Sequence, residues 1–383
     1  MTNAISRALD MAFAMGWEIL WPLILGFALS AVVQAVVSHR EMSRLLPDDS
    51  PRSIVKAIAL GAASSSCSYA AVALARSLFR KGANFTAAMA FEMASTNMVL
   101  ELSIIMLVFL GWQLTAAEFV GAPLMVVFLV LLFRRFLRRD LLDEAKRQAD
   151  KGIAGRMEGH AEMDMSVRGD GSLLSRLTSS DGLTAISHYF VMDWASVWMD
   201  IVGGLLIAGA LAAWVPSEFW QSFFLVNHPV LARVWGPIVG PLVAVIAFVC
   251  SVGNIPLAAV LWNGGISFGG VVAFIFADLI VLPVLNIYRK YYGLKMAGFL
   301  FATFYAAMAA AALIVELLFG VLGLIPAERH ARVVEASVTW DYTTWLNIGF
   351  LVLAAFLVWR FLRTGGPAML RMMNKPIERH AAA

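Results

Sequence analysis

Two cysteines are all that this chain of 383 residues contains, and they stand 183 positions apart in matching surroundings. Cys67-Ser68 recurs as Cys250-Ser251, Leu74-Ala75 as Leu257-Ala258, and Leu78 as Leu261. Gly82 recurs as Gly265, Phe85 as Phe268, and Ala90-Phe91 as Ala273-Phe274, with no insertion in the register. A thiolate is a soft ligand, suited to Cu(I) and, by the same chemistry, to trivalent arsenic. Cysteine also packs as a small hydrophobe. Two of them superposed by a repeat read as a substrate pair, with Ser66, Ser68, Ser251 and Asn254 adding hydroxyls and an amide around them.

Two acids come next. Asp278 follows the second repeat motif inside an apolar stretch and aligns with Ser95; Glu92 lies one helical turn from Ser95, on the same face. A carboxyl at membrane depth is costly, and such residues commonly mark substrate or proton pathways. Asp278 and Glu92 are therefore the candidates for proton coupling. Asn97, Glu101, Asp193, Asp200 and His188 are weaker candidates on neighbouring faces. A third set, Met157, His160, Met163 and Met165, combines thioether and imidazole groups within a polar loop. It could collect a soft metal, or belong to a solvated loop that happens to hold methionine.

The elements that must position these residues are membrane helices. Hydrophobic residues make up 60% of the chain and charged ones 14%, against about 25% charged in a soluble domain. Spanning helices are expected near 13–37, 84–110, 119–137, 184–214, 266–287, 296–320 and 342–361. The first apolar run contains Glu18 and is too long for a signal h-region, so it reads as a retained helix. The segments 54–80 and 233–262 are too long for one crossing and too short for two of about 20 residues each. Both are broken by small or helix-disfavouring residues beside a cysteine. They read as re-entrant hairpins, whose irregular tips must be surrounded by protein or a polar cavity.

Positive charge orients the chain. With both hairpins re-entrant, all lysines and arginines except Arg7, Arg233, Arg329 and Arg332 fall in segments on one side: 38–56, 76–81, 134–182, 289–295 and 360–379. That side is the cytoplasm by the positive-inside rule. The N-terminus is then outside and the C-terminus cytoplasmic. The two hairpins enter from opposite faces, which makes the halves inverted copies. The expected architecture is an all-α integral membrane protein of two inverted-topology repeats, with about seven full spans and two hairpins. Residues 1–137 form the first repeat and 138–182 a polar cytoplasmic loop. Residues 183–363 form the second repeat with an extra C-terminal helix, and 364–383 a cytoplasmic tail.

The stretches Cys67–Asn97, with Arg76-Ser77-Leu78-Phe79-Arg80-Lys81-Gly82, and Cys250-Ser251-Val252-Gly253-Asn254-Ile255-Pro256-Leu257, continuing through Gly264-Gly265 to Asp278, resemble the predicted-permease family that includes the trivalent organoarsenical efflux permeases. That resemblance implies efflux of a trivalent organoarsenical across the cytoplasmic membrane. Metal export is known among related permeases. Arsenical-type members often carry Cys-Ser-Cys-Gly in the first half, whereas this chain has Cys67-Ser68-Tyr69-Ala70, one thiol fewer. The residues themselves leave a soft or transition metal ion (Cu, Zn) or a small oxyanion as alternative cargoes. No phosphate loop, nucleophile–base pair or metal-ligand spacing occurs. The expected partners are thus a small thiophilic solute and the bilayer, with no nucleic acid, no cofactor and no enzymatic reaction.

Overall fold

A computed structural model describes residues 2–36, 44–64, 68–150, 165, 167, 173–214, 216–247, 251–329, 331 and 342–373, and among these every regular element is helical. Helices satisfy their own backbone groups, as lipid requires. Five of them are long and apolar enough to cross a bilayer, or six if one bent pair counts as a single span. The protein is a multi-pass integral membrane protein.

The first half runs α1 (Thr2–Val36), α2 (Pro51–Ser64), α3 (Ser68–Arg80), α4 (Phe85–Asn97), α5 (Leu100–Phe109) and α6 (Trp112–Phe136). A short helix α7 (Arg139–Ala149) and one turn, α8 (Leu173–Thr178), lead into the second half. That half comprises α9 (Ser180–Trp214), α10 (Ser217–Phe223), α11 (Pro229–Ala247), α12 (Ser251–Asn263), α13 (Phe268–Phe276), α14 (Leu282–Tyr292) and α15 (Leu294–Val321). A 3-10 turn, Ala277–Leu279, separates α13 from α14, and α16 (Tyr342–Arg363) and α17 (Gly366–Met373) complete the chain.

Element boundaries recur at the offset seen in the sequence. α3 ends at Arg80 and α12 at Asn263; α4 starts at Phe85 and α13 at Phe268. Gly82 and Gly265 both turn the chain at positive φ (104° and 106°), where a side chain would be strained. The next residues but one cap the following helices: the Asn84 side chain accepts from the Thr86 and Ala87 N–H groups, and Ser267 from that of Gly270. Lys146 lies 4.6 Å over the Phe79 ring and donates to Phe79 O at 2.6 Å. Arg329 lies 4.7 Å over the Trp262 ring and donates to Trp262 O at 3.3 Å and Ile266 O at 2.8 Å. A cation thus closes the C-terminal end of α3 in one half and of α12 in the other, where the backbone dipole is negative. Partial burial pushes the Lys146 ammonium below its ordinary pKa.

Packing follows the same pattern. α2 lies along α4 and α11 along α13, while α6 meets α15 and α1 meets α9 across the halves. The α2–α4 contact depends on Gly61. A Cβ there would collide with the Phe91 carbonyl oxygen and reach 2.9 Å from the Ala94 Cβ. Gly61→Val should therefore push α2 off α4 and cost about 1–3 kcal/mol, read as a lowered unfolding temperature of the detergent-solubilised protein.

Three segments add detail to the expectations. The span expected at 84–110 is bent by 42° between α4 and α5, and Asn97 explains part of the break. Its Nδ2 donates to Met93 O (3.1 Å) and Thr96 Oγ1 (2.9 Å), competing with the backbone ladder at the helix end. The expected loop 138–182 is helical at its start. α7 buries Ala145 and Ala149 and ties into both halves: Arg76 Nη2 donates to Ala149 O (2.8 Å) and Gln148 Nε2 to Lys290 O (3.1 Å). Its apolar content is low, but alanines four residues apart make a face narrow enough to pack closely. Finally, 229–246 is long and apolar enough to cross a membrane alone.

Candidate functional site

Three carboxyls and the Tyr288 phenol are buried where the halves meet. Glu92 and Asp278 are 0% exposed and Glu118 1%. Glu92 comes from α4, Glu118 from α6, and Asp278 from the 3-10 turn after α13. Pairing sets their positions. Ser68 Oγ, the first residue of α3, donates to Asp278 Oδ2 at 2.7 Å across a separation of 210 residues. The Tyr288 hydroxyl, from α14, donates to Glu92 Oε1. Glu92 and Glu118 each lie within electrostatic reach of Asp278.

The cluster is under-satisfied. Glu92 Oε2, Asp278 Oδ1 and both Glu118 oxygens have no hydrogen-bond partner among the described residues. None of the three carboxyls forms an ion pair there either. An unpaired buried polar atom costs about 1–3 kcal/mol, so so many in one place suit a site built for exchange with a proton or a ligand and not for stability. Tyr288→Phe would leave Glu92 with no side-chain donor. That change should lower stability by about 1–3 kcal/mol, measurable as a shifted unfolding midpoint in detergent.

The other sequence candidates fall as follows. Ser68, Asn254, Asp278 and Glu92 are all fully buried, and Ser68 and Asp278 bond directly. Cys67, Cys250 and Ser66 lie outside the described residues, as does the side chain of Ser251, whose backbone begins α12. Cys67 directly precedes Ser68 in the chain, and Cys250 directly precedes α12, which carries Asn254. Met157, His160 and Met163 also lie outside the described residues. Met165 packs, half-buried, against the core, and its backbone N–H donates to the Tyr189 hydroxyl at 2.8 Å. No group of three or more metal-ligating His, Cys, Asp or Glu occurs among the described residues.

Among the weaker candidates, Asp193 joins a chain reaching the end of α2. Ser30 Oγ donates to Ser64 O (2.8 Å), and Gln34 Nε2 donates to Ser30 Oγ (3.0 Å) and Asp193 Oδ2 (3.2 Å). His188 is held between Thr364 Oγ1 (2.7 Å) and the Met369 sulfur (3.1 Å), away from the carboxyls. The side chains of Glu101 and Asp200 lie outside the described residues. Glu118 and Tyr288 are not among the sequence candidates. The available signal for Glu118 was an ionisable residue near the start of a membrane helix; Tyr288 offered none, because a tyrosine near a helix end usually marks the membrane interface.

Residues 4–317 match the family model described as a predicted permease, ArsP_1. The chain is similar to "Putative permease Rv2963" of Mycobacterium tuberculosis (strain ATCC 25618 / H37Rv), with 64% identity over 339 residues, 88% of this chain and 84% of that one. No solved structure matches it. A multi-pass helical protein with a polar cluster buried between repeated halves, matched over nearly its whole length, belongs to the ArsP_1 family of predicted permeases.

Proposed function

We propose that this permease exports a thiophilic solute, a trivalent organoarsenical, across the cytoplasmic membrane by alternating access in exchange for protons. One observation carries the reading: the Ser68–Asp278 hydrogen bond. It joins the residue that follows Cys67 to a carboxyl of the other half, so movement at Ser68 and the protonation of Asp278 are coupled. The repeated cysteines supply two soft ligands, matching the two exchangeable positions on a monosubstituted trivalent arsenic.

The mechanism needs two gates. The segments 54–80 and 233–262 are each too long for one crossing and too short for two of about 20 residues. Their length supports re-entrant hairpins in two inverted repeats, each hairpin containing one cysteine. Prolines 237 and 241 inside α11, and its close packing on α13, fit a helix that turns back inside protein. The positive-charge distribution supports a cytoplasmic C-terminus.

A growth panel tests the cargo. A strain lacking the gene, with and without the gene restored, is challenged with trivalent methyl- and phenylarsenicals, arsenite, antimonite, copper and zinc. Protection confined to the organoarsenicals is the expected result. Protection against copper or zinc alone would transfer the same site to a metal ion, and protection against an oxyanion alone would remove the thiol chemistry from the reading.

A further inference from the structure

We propose that Glu118, Asp278, Glu92 and Tyr288 form a graded proton route through the membrane, with Glu118 as its station nearest the exterior end. This rests on the proton-exchange reading above and extends it to two residues outside the sequence candidates. Ring contacts fix the relative depths. Phe85 stacks on Phe133 at 6.0 Å, and Phe133 meets Phe299 at 5.2 Å. The starts of α4 and α15 therefore lie level with the end of α6. Tyr292 meets Phe85 at 5.4 Å and joins the same level. At the opposite end, Phe268 stacks on Phe319 at 5.3 Å.

A helix rises about 1.5 Å per residue, which sets the spacing from the Phe85 level. Tyr288 stands about 6 Å away, Glu92 about 10 Å, Asp278 about 21 Å and Glu118 about 22 Å. The order is monotonic, and its neighbours interact: Tyr288 donates to Glu92, and both Glu92 and Glu118 sit in electrostatic reach of Asp278. The Arg134 and Arg135 end of α6 is the Phe85 end, so Glu118 is the station farthest from the cytoplasmic charges.

The groups facing the route are polar but largely uncharged. α3 presents Ser68, bonded to Asp278, and α14 presents Tyr292, stacked at 6.3 Å on Tyr288. α15, packed on α6, carries Glu316, bonded to the Gly269 N–H, and Tyr305, bonded to Ile238 O. Arg76 lies 4.4 Å over Tyr291, where it also acts on Tyr292 at the cytoplasmic end. A proton taken up by the Glu118 carboxylate passes to the Asp278 carboxylate, leaving Glu118 ionised. It then passes to Glu92 and leaves beside Tyr288, so each transfer conserves charge and no other reactant is needed.

The test uses the full-length protein in phospholipid vesicles, with methylarsenite as probe and an imposed pH gradient. Glu118→Gln should lower gradient-driven transport at least tenfold while counterflow, in which no net proton moves, continues. Glu118→Asp, which keeps the charge but withdraws the carboxyl, should slow gradient-driven transport several-fold. Full gradient-driven transport by Glu118→Gln overturns the proposal, as does loss of counterflow in a monodisperse variant, which would place Glu118 in the substrate path. If the Gln variant does not fold, an unchanged rate in Glu118→Asp overturns it. Absence of gradient-driven transport in the unaltered protein refutes proton exchange itself, and this route with it.

Discussion

Asp278→Asn is expected to abolish pH-gradient-driven export, by about 100-fold or more, while leaving the protein folded in the membrane. Asparagine is nearly isosteric with aspartate, so the 3-10 turn and its packing persist. Its Oδ1 can still accept from Ser68, replacing the 2.7 Å bond. Only the capacity to gain and lose a proton disappears, and groups that transfer protons in this way contribute roughly 10²–10⁴-fold. Asp278 touches a residue of the first half, feels both other carboxyls and is completely buried. No other carboxyl in the cluster occupies that junction. Vesicles acidified on one side, with folded protein quantified by size-exclusion chromatography, give the measurement. Unimpaired gradient-driven transport by the variant would assign Asp278 a structural role and leave the driving force elsewhere.

Replacing both cysteines should be as damaging to a thiophilic cargo. A serine hydroxyl is close in size to a thiol but is a hard, protonated oxygen at neutral pH, with little affinity for trivalent arsenic or Cu(I). The double variant Cys67→Ser/Cys250→Ser is expected to lose at least about 90% of organoarsenical transport, as a soft-ligand site must. Each single variant should retain a fraction, because one thiolate still binds. The competing cargo behaves oppositely. A carrier that holds an oxyanion by serine hydroxyls and helix N-termini would tolerate the double change. Transport by the double variant at the unaltered rate would therefore end the thiophilic reading, while a loss confined to organoarsenicals would separate cargo recognition from proton coupling.

Much of this protein could be read from its residues. Composition alone made it a membrane protein, because a chain that is 60% hydrophobic and 14% charged has no stable place in water. The repeat was legible because its markers sit at one offset, and the helix starts at Phe85 and Phe268 and the turns at Gly82 and Gly265 recur there. Asp278 and Glu92 were legible because a carboxyl in an apolar run is anomalous wherever the helix ends up.

Tertiary structure decided which of these residues meet. Ser68 reaches Asp278 over 210 residues and Tyr288 reaches Glu92 over 196, and no local periodicity encodes such pairs. The Lys146 and Arg329 contacts occupy equivalent places, yet one lies on a helix and the other in a loop, so only their positions over Phe79 and Trp262 reveal the match. Glu118 sits at the margin of its apolar stretch, where a charge would ordinarily reach the interface. The close packing of α6 against α4, α13 and α15 instead seals it inside. Burial and partnership are properties of how helices pack, whereas composition and repeat are properties of the chain.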